Sequence, residues 1–97
     1  MKQRVQQELK EALLQKDELR VGVLRMLLAA FVYKEKENLS AGEAQELSNE
    51  HIQQVVKREM KKRKQAAEAF DRAGRTASAE KEKKEMEILQ AYLMEIE

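Results

Sequence analysis

Apolar residues recur at helical spacing through most of the chain. Val5, Leu9, Ala12 and Leu13 fall at i, i+4, i+7 and i+8, which predicts a single apolar stripe on a first helix over about 2–15. Lys16 and Asp17 break that pattern. Asp17 can accept a hydrogen bond from a free backbone N–H and so opens a second helix over about 17–38. The stretch 19–33 inside it has no acid, and its only charges are Arg20 and Arg25. Its apolar residues point in nearly every direction, which predicts a buried, central helix. Gly22 lies in its interior, where glycine costs about 1 kcal/mol relative to alanine, so close packing against a neighbour is expected there.

Asn38, Ser40 and Gly42 give the one loop signal before the midpoint, and the loop is expected to reach Leu47. Ser48, with Glu50 in the first turn, starts a third helix over about 48–73 that Gly74 ends. Thr76 or Ser78 restarts the chain as a fourth helix over about 77–95, with Met86, Leu89, Leu93 and Ile96 on one side. No internal repeat, heptad array or low-complexity tract stands out. Four helices with short connections predict an all-α fold, a compact four-helix domain spanning 1–97. It would be a bundle or an orthogonal array with helix two in the middle.

Composition agrees with this and narrows the function. The 97 residues suit one domain, 38% of them are charged, and proline and cysteine are absent. Disulfides and thiol chemistry are therefore excluded. A net charge of +1 gives no global field for nucleic acid or membrane, so any electrostatic role must be local. No apolar run reaches the roughly 18 residues that span a bilayer, and the N-terminus resembles no secretion signal. A cytoplasmic protein with no membrane partner is expected.

Some charges fall on apolar faces. On helix three, Ile52, Val55, Val56, Ala66 and Phe70 set the apolar side, and Glu59 and Arg63 share it, four apart with the acid first. On helix four, Glu82 and Glu85 lie within the side set by Met86, Leu89 and Leu93. A buried unpaired charge is very costly. Arg20, Arg25 and Arg63 are therefore expected to join Glu59, Glu82 and Glu85 in one or two structural ion-pair networks linking helices two, three and four. Carboxylates held by arginine are poor general acids, so structure is favoured over catalysis.

Opposite the apolar side of helix three, Lys57, Lys61 and Lys64 stand at i, i+4 and i+7, flanked by Arg58 and Lys62. This stripe is a candidate for tracking nucleic-acid phosphates. No aromatic residue interleaves with it, so backbone contact is expected rather than base stacking. Other chemistry is sparse. His51 is the sole histidine, no convergent metal ligands are visible, and no phosphate loop or nucleophile motif occurs. No catalytic residue, metal or cofactor is expected. Tyr33 and Tyr92 are expected to cover the core with their hydroxyls facing water.

Taken in order, several short motifs resemble the YqeY-like family of the GatB/YqeY superfamily. They are Asp17-Glu18-Leu19-Arg20, Leu24-Arg25-Met26-Leu27, Lys62-Arg63-Lys64, and Ala73-Gly74-Arg75. Glu82, Glu85, Ile88-Leu89 and Tyr92-Leu93 follow. The resemblance covers nearly the whole chain. It implies an all-helical accessory module similar to the C-terminal region of the B subunit of the tRNA-dependent amidotransferase, a region that contacts tRNA and lies away from the catalytic centre. The amidotransferase chemistry, a carbon–nitrogen ligation with glutamine as amido donor, attaches to the family by similarity. The chain has no visible ATP site and no serine or cysteine nucleophile in a recognisable setting, so a non-catalytic, amidotransferase-related adaptor is expected. Family members usually place Pro after Tyr-Leu, where Met94 stands here, and continue into a second helical domain of roughly 50 residues. That domain is expected to be absent from this chain. An alternative role is a protein-interaction or self-association module, with apolar surface exposed at Leu93, Met94 and Ile96.

Overall fold

The computed structural model describes residues 1–96. Four helices account for nearly all of them: α1 Lys2–Leu14, α2 Glu18–Ser40, α3 Asn49–Arg72 and α4 Thr76–Ile96. No strand occurs among the described residues. Two helix starts and one stop follow from chemistry that is local in sequence. The Asp17 carboxylate accepts from the Arg20 backbone N–H at 3.1 Å and caps α2. The Ser48 hydroxyl accepts from His51 N–H, while His51 Nδ1 accepts from Ser48 N–H, both at 3.2 Å. The two residues thus cap α3 reciprocally, with histidine where glutamate is commoner. Gly74, at φ 73°, closes α3 with Arg75 N–H donating to Phe70 C=O at 2.8 Å.

The same closing turn ends α1 and α2. Lys16 takes the left-handed position after α1 at φ 57°, an unusual place for a side chain with a Cβ. Gly42 takes it after α2 at φ 78°. The second helix therefore runs two residues beyond the expected stop at Asn38. Asn38 is no loop residue: it is only 1% exposed, and its amide lies 3.5 Å from His51 Nδ1. A polar side chain that sequence reads as a helix breaker here joins the end of α2 to the start of α3.

α3 and α4 form the most extensive helical pair, α1 pairs with α2, and α2 also packs on α3 and α4. Helix two is thus the element shared by the other three. Its Leu24, Leu27 and Phe31 are fully buried, with Val5 from α1, Val56 from α3 and Leu89 from α4 around them. Each such side chain contributes about 1.5–3 kcal/mol by leaving water. On α3 the buried alanine is Ala67, whereas Ala66 is half-buried.

The expectation of an all-round buried second helix is corrected by its remaining flank. Gly22, Arg25, Met26, Ala29, Val32 and Tyr33 are exposed. Gly22 is not a close-packing site, because a Cβ built there meets nothing within 4 Å. The three helices packed on α2 leave this flank bare. Leu13, the edge of the α1 stripe, is also exposed. At the other end of the chain, Leu93 is buried and Ile96 packs on the core, so of the three residues expected to form an apolar patch only Met94 is exposed.

Candidate functional site

Three constellations lie outside the apolar core. The first is centred on Arg63. This arginine is 6% exposed and reaches three carboxylates: Glu59 at 3.6 Å, Glu82 at 3.8 Å and Glu85 at 2.9 Å. Its Nη2 also approaches the Met26 sulfur at 2.8 Å, which ties the cluster to α2. Glu59 is 4% exposed and takes a second cation, Lys62, at 3.1 Å. The Arg63 Nε–Glu85 contact is close but lies off the N–H direction, so it is an ion pair, and Nε and Glu82 Oε2 have no hydrogen-bond partner. Burial, followed by the neighbouring Glu85 charge, raises the Glu82 carboxyl above its ordinary range, while Arg63 and Lys81 oppose the shift.

Arg20 and Arg25 stand apart from this network. Arg25 is on the open flank of α2, and no carboxylate pairs with it among the described residues. The sequence placed it inside because an apolar helix offers no polar face by which to orient it. Arg20 is half-buried near Tyr92, where its charge works against the tyrosine's raised pKa.

That tyrosine belongs to a second cluster, which sequence reasoning missed. Tyr92 is 3% exposed, and its hydroxyl donates to Glu8 and does not face water. Burial first, then the Glu8 bond and charge, push the phenol far above its usual value. Arg4 lies over the Tyr92 ring at 5.9 Å and pairs with Glu95. The group closes the start of α1 onto the end of α4. Glu8 sits one turn from Arg4 on the same side of α1, the only hint of it in the sequence.

The third constellation is the basic stripe. Lys57, Arg58, Lys61, Lys62 and Lys64 are all exposed along α3. Arg58 has a loose partner in Glu37 at 3.8 Å, and Lys62 bridges to Glu59. Lys57, Lys61 and Lys64 have no carboxylate within ion-pair distance among the described residues. Beside the stripe, between α3 and α2, runs a groove of about 350 Å³ lined by Met26, Ala29, Ala30, Tyr33, Val55, Arg58, Glu59 and Lys62.

None of these arrangements presents a nucleophile next to a free base. Among the described residues, no group of His, Asp or Glu is placed to hold a metal ion. No described helix is long and apolar enough to cross a membrane. In comparisons with known proteins, the family model described as Yqey-like protein matches residues 2–95. No curated protein matches the chain.

Proposed function

Since the chain belongs to the YqeY-like family, we propose that it is a non-catalytic helical accessory domain that contacts tRNA, or RNA of similar backbone charge, through α3. One observation carries this reading. Lys57, Lys61 and Lys64 form an exposed row whose charge no carboxylate of the fold neutralises among the described residues. With Arg58 and Lys62 beside them, five cations lie along about two turns of helix, roughly 10 Å, a length on the order of neighbouring phosphate spacings. A row on one helix reads the backbone and not the sequence. The domain would then act as a cytoplasmic adaptor related to the tRNA-dependent amidotransferase, with the chemistry carried elsewhere.

Charge reversal tests this. Lys57→Glu with Lys61→Glu should lower affinity for total tRNA by at least about tenfold and flatten the slope of log affinity against log salt by about 0.7–0.9 per lost contact. Helical content should not change, because both side chains point to solvent. Unchanged affinity and slope would reject the α3 row as the contact.

A further inference from the structure

Glu68 interrupts the basic row of α3, and no contact within the fold accounts for it. Lys57, Lys61, Lys64, Glu68 and Arg72 stand at i, i+4, i+7, i+11 and i+15, and all five are exposed. Arg72 thus carries the row on to a length of about 22 Å at 1.5 Å per residue. Like the three lysines, Arg72 has no carboxylate within ion-pair distance among the described residues. Glu68 lies about one turn of helix, roughly 6 Å, from Lys64 on one side and from Arg72 on the other. It pairs with neither. The other acids of α3 beyond its first turn are engaged: Glu59 is buried against Arg63, and Asp71 holds Lys83 at 3.5 Å. Glu68 also stands near the C-terminal end of α3, where the helix dipole disfavours an acid.

What a carboxylate does within a phosphate track depends on the nucleic acid. Facing phosphates alone, it repels the ligand and weakens binding. Facing ribose, it accepts charge-assisted hydrogen bonds from 2′-hydroxyls, which RNA carries and DNA lacks. Cations flank Glu68 on both sides. A strand whose phosphates sit at Lys64 and Arg72 therefore carries its sugars past this carboxylate. Rings do not compete for that position. Phe70 is half-buried beneath the Arg75 guanidinium at 5.3 Å, and Tyr33 lines the groove beside Arg58 and Lys62. Contact with sugar is thus favoured over base stacking at this end of α3.

We infer that Glu68 makes this face select RNA over DNA, by accepting a hydrogen bond from a ribose 2′-hydroxyl between phosphates held at Lys64 and Arg72. This selectivity rests on the RNA reading of the α3 row and adds the sugar to it.

The test uses fluorescein-labelled hairpins of one sequence, made of RNA, of DNA and of 2′-fluoro RNA, which keeps the A-form but has no hydroxyl to donate. Anisotropy with the full chain at fixed salt should show RNA bound about tenfold more tightly than either of the others. Glu68→Gln should bind the DNA and 2′-fluoro hairpins about fivefold more tightly than the parent chain does, with RNA affinity changed by less than about twofold. Glu11→Gln makes the same charge change at an exposed site on α1 and should leave the preference for RNA intact. Both variants keep a good helix former at an exposed position, so the circular dichroism spectrum should not change. Equal binding of the RNA and 2′-fluoro hairpins overturns the inference, because shape alone would then select the ligand. So does a preference that Glu68→Gln leaves at the parent level, or that Glu11→Gln narrows as much. In those cases a loss of RNA affinity in Lys57→Glu with Lys61→Glu still upholds the α3 contact, whereas failure of the parent chain to bind RNA overturns both.

Discussion

Gly22 shows how a single position separates folding from function in this chain. Its backbone is helical and its surroundings are open. Gly22→Ala should therefore stabilise the fold by about 1 kcal/mol. In a domain of this size that raises Tm by roughly 4–8 °C, measurable by thermal unfolding. A lower Tm would mean that the Cβ meets a neighbour after all. Gly42 and Gly74 are of another kind: both hold positive φ, where a Cβ is strained, and there the choice of glycine is made by the turn. Sequence reading found Gly74 because its reason is local. It misread Gly22 because the reason for a mid-helix glycine depends on what stands opposite, and here nothing does. Asn38 was misread for a similar cause: its propensity marks a loop, but its side chain is enclosed beside His51.

Helices α3 and α4 are joined by the Arg63 cluster as well as by their apolar stripes. Arg63→Met should destabilise the chain by about 3–5 kcal/mol, since three glutamates would then face one another around an apolar side chain. Chemical denaturation measures this; a loss under about 1 kcal/mol would show that water already screens the carboxylates. Glu82 adds a pH dependence. Its folded-state pKa is raised, chiefly by burial, so the folded chain takes up a proton there more readily than the unfolded one. Stability tied to this group is present below the ordinary carboxylate range and is lost as pH rises through the raised value. Glu82→Gln should accordingly lose less stability than the parent between about pH 4 and pH 7. A difference of the opposite sign would mean that Arg63 outweighs burial. Glu59 and Arg63 were legible on a helical wheel because α3 has one apolar side, and charges on it stand out. Arg25 was not, because α2 is apolar in nearly every direction and periodicity cannot say which side its neighbours leave bare.

Taken together, the four helices form a body of 45 × 31 × 23 Å, in which α2 and α3, at 23 and 24 residues, are the longest elements. The all-α fold, the order of the helices and the shared position of α2 were legible from spacing and caps. The division of the surface was not, since it depends on tertiary packing. On one side α1 is fastened to α4 through Arg4, Glu8, Tyr92 and Glu95. On another, the α3 row and the α2–α3 groove lie next to each other and share Arg58 and Lys62. The row carries the central claim, and the salt dependence of tRNA affinity tests it most directly. If five cations engage phosphates, affinity for total tRNA measured by filter binding should fall by roughly two to three decades between about 50 and 200 mM salt. No binding at the lower concentration, or a fall of less than about tenfold, would contradict it.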